Sequence, residues 1–95
     1  MQVIHWGRAR RFFRDNPGAE RALKDWRMAV QQAEWKNFPE VRNTFGSADW
    51  VDGKIVFDIK NNDYRLIAIV AFENGKLYIK HVMTHAEYDK GNWKS

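Results

Sequence analysis

Four residues in the second half of the chain, Arg65, Lys80, His85 and Tyr88, have the types and spacing for phosphodiester chemistry. Metal-free cleavage of RNA uses the 2′-hydroxyl as nucleophile on the adjacent phosphorus. It needs a base near that hydroxyl, cations around the non-bridging oxygens, and an acid for the leaving 5′-oxygen. Arg65 and Lys80 are the cations that could hold a phosphate. His85 offers an imidazole, a side chain suited to proton transfer. Tyr88 could assist or stack on a base. Each has a plainer reading: Arg65 as the cross-strand partner of Asp58, His85 as part of a capping turn in which Thr84-x-x-Glu87 resembles a capping box, and Tyr88 as packing at the sheet edge.

The elements that must position these residues are legible in the hydrophobic periodicity. His5 to about Asn16 reads as a helix with Trp6, Ala9 and Phe13 on one stripe, ended by Pro17. A second helix runs from about Gly18 to Trp35 along Ala19, Ala22, Leu23, Trp26, Ala29, Val30 and Ala33. Asn37-Phe38-Pro39 stops it and starts a short third helix through Phe45. After Phe45-Gly46-Ser47 the period changes from helix to strand. Residues 55–59 alternate, 61–63 turn, and 64–72 are almost continuously apolar, as in a central strand. Asn74-Gly75 predicts a two-residue type I′ hairpin into a strand from Leu77 to Thr84, and residues 48–51 supply an outer strand.

Those two turns set a register. A two-residue Asn74-Gly75 turn puts Phe72 opposite Leu77, Leu66 opposite Met83 and Arg65 opposite Thr84. A two-residue turn at Asn61-Asn62 puts Phe57 opposite Leu66 and Asp58 opposite Arg65. One face then collects Ile55, Phe57, Ile59, Leu66, Val70, Phe72, Leu77, Ile79 and Met83 for the helices, with His81 a satisfied core histidine. The other collects Lys54, Asp58, Arg65, Lys80 and Thr84 around Val56, Ile67, Ile69 and Val82. On this reading Lys54, Lys60, Asn61 and Lys90 are candidates for tracking an RNA strand.

Composition narrows the classes. There is no cysteine, which excludes a disulfide framework, a thiolate metal site and a Cys nucleophile. Asp58 is the one acid on the candidate face, so convergent carboxylates for a metal nuclease are missing and no metal or cofactor is expected. No P-loop or dinucleotide fingerprint is present. The N-terminal stretch carries arginines where a signal peptide needs its apolar run, and no segment is long and apolar enough to span a bilayer. A cytoplasmic protein without membrane contact is expected. Residues 1–47 hold nine Lys/Arg against five Asp/Glu, whereas 48–95 hold seven of each. The basic first half favours a polyanion or an acidic protein, and Arg8, Arg11 and Arg14 are its candidate contacts.

The stretch Phe57-Asp58-Ile59 through Asn61 and Tyr64-Arg65-Leu66, followed by Val82-Met83-Thr84-His85-Ala86-Glu87-Tyr88-Asp89, resembles the HigB toxins of the RelE superfamily. The closing Thr-His-x-x-Tyr-Asp is the more specific part. The resemblance implies one α+β RelE-like domain over residues 1–95, with two N-terminal helices packed on a four- to five-stranded antiparallel sheet and a short C-terminal helical turn. It also implies ribosome-dependent cleavage of mRNA on the concave sheet face, and silencing by a separately encoded HigA-type antitoxin. A non-catalytic RNA- or protein-binding module is the alternative.

Overall fold

A computed structural model describes residues 1–94, the side chain of Lys94 excepted. The chain runs β1 (Gln2–Ile4), α1 (Trp6–Asp15), α2 (Glu20–Gln32), α3 (Phe38–Thr44), β2 (Asp49–Val51), β3 (Lys54–Ile59), β4 (Tyr64–Ala71), β5 (Lys76–Thr84) and α4 (His85–Lys90). The class is α+β. Strand order across the five-stranded sheet is β1-β5-β4-β3-β2.

The sheet is mixed, which corrects the purely antiparallel one expected. Gln2, Val3 and Ile4 pair parallel with Lys76, Leu77 and Tyr78. Three residues ahead of a helix are too few to show a period of two, so this strand is invisible in the sequence. The short C-terminal helical turn expected is α4, residues 85–90, so the helices are not all N-terminal; it is opened by the capping box that Thr84 and Glu87 make, with Thr84 Oγ1 accepting from the Glu87 N–H at 3.2 Å and Glu87 Oε1 accepting from the Thr84 N–H at 3.0 Å.

Helix α1 ends where Pro17 requires, and Asn16 donates back to the Phe12 carbonyl from both its backbone and its side chain. Its stripe residue Ala9 is fully buried. Pro17–Ala19 form a single 3₁₀ turn before α2 begins. Helix α2 buries Leu23, Trp26 and Val30 and stops at Gln32, three residues before the expected end. Leaving the helical path lets Trp35 turn inward, stacking on Phe57 at 6.4 Å and donating its indole N–H to Thr44 Oγ1 at 3.0 Å. Phe57 is the centre of this layer, with Trp26 and Phe45 also against it edge-on. Asn37 caps α3, accepting from the Glu40 N–H at 3.1 Å.

Strands β3 and β4 pair in the expected register, Phe57 with Leu66 and Asp58 with Arg65. Strands β4 and β5 do not. Their turn takes four residues: Phe72–Asn74 form a 3₁₀ turn, Gly75 is left-handed at φ 66°, and Ala71 pairs with Lys76. Phe72, expected in the strand, packs on the helix-side core from within the turn. Farther along, Ala68 pairs with Ile79 but Ile67 with His81, so Lys80 is the extra residue of a β-bulge. The bulge reverses the faces of the residues after it: His81 and Met83 go to the open face and Val82 to the helix face. His81 is exposed, not a core histidine.

A second apolar cluster lies on the open side. Val56, Ile67, Met83 and Trp93 are buried there with Val51 and Tyr88 against them. The segment after β5 folds over this end of the sheet, leaving the rest of the face uncovered by helices.

Candidate active site on the open sheet face

Arg65 is a strut before it is anything else. It is 8% exposed, at the second position of β4. Its Nε faces the Asp58 carboxylate at 3.1 Å. Nη1 donates to the carbonyls of Asn62 and Tyr64 at 3.0 and 3.1 Å, and Nη2 donates to Asn62 Oδ1 at 2.6 Å. Four of its five N–H groups are therefore committed among the described residues. The structural reading of the Asp58–Arg65 pair is realised and extended, because the guanidinium also fixes the β3–β4 turn.

Tyr88 sits against this strut. Its ring lies 5.4 Å from the Arg65 guanidinium carbon and stacks on Trp93 at 5.1 Å with a 12° interplanar angle. Burial pushes its phenol above the ordinary value, Asp49 adds to this, and Arg65 opposes it. His85, at the start of α4, is 41% exposed, and its Nδ1 lies 2.9 Å from the Asp89 carboxylate one turn later. That contact orients the ring and leaves Nε2 as its other nitrogen. The capping box belongs to Thr84 and Glu87, so His85 is left available.

A group of positive charges gathers earlier on β5. Lys80 occupies the bulge, His81 follows it, Lys54 opens β3, and Arg8 reaches over from α1. Partial burial and then Arg8, Lys80 and Lys54 all hold the His81 imidazole below its ordinary value. Arg8 is fixed in place, donating from Nη1 to the carbonyls of Ile79 at 3.0 Å and Lys80 at 3.2 Å. These carbonyls lie on β5 just past the end of its pairing with β1, where the strand edge would otherwise be unpartnered. Beside His81 opens a cleft of about 390 Å³, lined also by Met83, Glu87, Lys90, Asn92 and Trp93.

The structure thus brings together Lys80, Lys54, Arg8 and, at the cleft, Lys90. Arg65 and Tyr88 lie beneath, joined to the same face through Met83 and Trp93. Lys60 and Asn61 stand apart, in the β3–β4 turn at the far end of β3 from Lys54, about 20 Å along the strand. Lys60 instead lines a groove with Asp25 and Trp26 of α2. Arg11 and Arg14 are exposed on α1. Sequence reasoning missed His81 and the inward role of Arg8. A signal existed for the former: Leu77 and Ile79 point in, then Val82 does, and that change of phase across Lys80-His81 marks a bulge. Among the described residues no three His, Asp or Glu side chains converge as a metal-holding group, and no helix is long and apolar enough to cross a membrane.

A family profile described as HigB toxin, the RelE-like toxic component of a toxin–antitoxin system, matches residues 19–91. The chain belongs to the HigB toxin family. Among curated relatives, the mRNA interferase toxin HigB of Escherichia coli (strain K12) is 36% identical over 63 residues, and the mRNA interferase HigB of Shigella flexneri matches equally. That match covers 63% of this chain and 61% of each relative, so the chain spans about three-fifths of their length. The mRNA interferase HigB of Escherichia coli O6:H1 is 30% identical over 80 residues, 81% of this chain and 78% of the relative. The family match takes in all of the open-face strands β3, β4 and β5 of this HigB-family chain.

Proposed function

We propose that this chain is the toxin of a type II toxin–antitoxin pair and an endoribonuclease that cuts mRNA on the ribosome. The observation that carries this reading is the gathering of Lys54, Lys80 and Arg8 around His81, beside an open cleft of about 390 Å³. Such a group of cations on a rigid sheet suits a phosphodiester whose non-bridging oxygens gain charge as it reacts. The family membership and the names of the relatives supply the substrate class, mRNA.

In this reading the chemistry is attack by the 2′-hydroxyl, without a metal, in one RelE-like domain spanning residues 1–95. Lys80 and Lys54 hold the phosphate, His85 and Tyr88 assist proton transfer or seat a base, and Lys90 borders the base-binding cleft. Arg65 acts through position, holding Asp58, the turn and Tyr88, and reaches substrate with one N–H at most. Lys60 and Asn61 track RNA outside the cleft. A HigA-type antitoxin silences the toxin, with Arg11 and Arg14 offering it an exposed basic surface, and the protein works in the cytoplasm.

Primer extension on cellular mRNA after brief induction tests the reading. Cuts in frame and confined to translated regions, absent when Lys54 and Lys80 are both replaced by Ala, are the expected result. Intact mRNA with a folded wild-type protein would replace it with a binding module.

A further inference from the structure

We propose that His81 is the general base of this site, taking the proton from the attacking 2′-hydroxyl while the cleft beside it holds the nucleobase. The inference rests on the nuclease reading above and adds a residue that the sequence pattern assigns to the core.

Four observations converge on His81. It is exposed on the open face, turned there by the bulge at Lys80. Cations from three elements act on it: Arg8 from α1, Lys80 next to it on β5, and Lys54 from β3, two residues before Val56 in the cross-strand row Val56–Ile67–His81. One of the three, Arg8, is anchored on the Ile79 and Lys80 carbonyls, so the cluster has a fixed member and does not depend on mobile lysines alone. The imidazole also forms one wall of the 390 Å³ cleft, whose other walls combine the apolar Met83 and Trp93 with Asn92, Glu87 and Lys90. Apolar side chains with a few polar groups between them are what a flat heterocycle requires.

The electrostatics fit the role. A histidine among three cations stays neutral at physiological pH, which is the form that accepts a proton. Glu87 is the acid lining the same cleft, and its carboxylate is already engaged by the Thr84 cap. When a phosphodiester enters, its negative charge offsets the cations, and the imidazole becomes a stronger base at the moment it is needed. The His81 nitrogen then takes the 2′-hydroxyl proton, the 2′-oxygen bonds to phosphorus, and the bond from phosphorus to the 5′-oxygen breaks. The leaving oxygen receives a proton from the Lys80 ammonium, which recovers one from water. The products are a 2′,3′-cyclic phosphate and a free 5′-hydroxyl.

The test is single-turnover cleavage of mRNA on programmed ribosomes across mildly acidic to mildly basic pH, for the wild type, His81→Gln and Lys54→Ala. His81 is exposed, so Gln leaves the fold intact. The wild-type rate should fall on the acid side with a single inflection. His81→Gln should be slower by about 100-fold or more and should lose that inflection. Lys54→Ala removes a cation that favours the neutral ring, so its inflection should move to higher pH, which a merely structural His81 would not produce. A His81→Gln rate within about threefold of wild type, with the acid limb unchanged, overturns the assignment while the nuclease reading stands. No cleavage by the wild type at any pH removes both.

Discussion

The ring of Tyr88 lies on that of Trp93, 5.1 Å between centroids and 12° from parallel, and the Trp93 indole N–H donates to the Tyr88 carbonyl at 3.1 Å. This pair closes the small apolar cluster of Val56, Ile67 and Met83 on the open face. Trp93→Ala should therefore cost about 3 kcal/mol. It should also return the Tyr88 phenol toward its ordinary value, because burial is the main cause of its rise. The phenol pKa is read by near-ultraviolet absorbance and the stability by urea unfolding. An unchanged phenol would show that Trp93 does not shield it.

Arg65→Ala should destabilise the fold by about 3–5 kcal/mol, since it leaves Asp58 without its partner and the Asn62 turn without its tie. Arg65→Lys should recover little, because one ammonium cannot satisfy Asp58, two carbonyls and the Asn62 amide oxygen together. Urea unfolding of the two variants checks both statements. Any loss of activity in Arg65→Ala must be read against that loss of folded protein.

Three of the four arginines of α1, namely Arg8, Arg11 and Arg14, should separate. Arg8→Ala gives up two hydrogen bonds to the bulge and should cost about 2 kcal/mol. Arg11→Ala and Arg14→Ala, both exposed, should stay within about 0.5 kcal/mol of wild type. Thermal unfolding distinguishes the two groups. A titration with the antitoxin should show the exposed pair weakening the complex, more so at low salt.

His81 gives the fold an acid sensitivity. Its folded value lies below the ordinary 6.5, so its contribution is complete above about pH 6.5 and is lost as pH falls through the lowered value. His81→Gln should flatten stability against pH in that window. Added salt should raise the His81 value in an NMR titration, because Arg8, Lys80 and Lys54 are screened, but the part due to burial should persist. A salt-independent titration would mean that the cations do not act on the ring.

Much of the fold is legible in the residues, and the departures have identifiable causes. Long periodic stretches such as Trp6–Phe13 and Ala22–Val30 fold as their apolar stripes require. The Asp58–Arg65 register rests on one turn, and the Thr84–Glu87 cap is equally plain in the residue types. The hairpin after β4 departs from its local pattern because Asn-Gly outweighs its neighbours in any local rule, whereas burial of Phe72 against the helices decides the turn. The longer turn shifts the register by two residues and keeps the faces, so it is the bulge at Lys80 that puts His81 on the open face rather than in the core. The parallel strand Gln2–Ile4 is beyond local inference, since its partner lies at the far end of the sequence. Arg8 reads as surface charge because nothing in a helix pattern reveals that a strand edge needs donors.

The pairing of Val3 with Leu77 has a consequence for the order of assembly. During synthesis the first strand and the first helix emerge early, but both pack on β5, which is made after every other strand. Contacts that distant in sequence close slowly and late. Until β5 has left the ribosome, Arg8 has no bulge to hold and His81 has no cations around it. The open face thus comes into being only once β5 has joined the sheet.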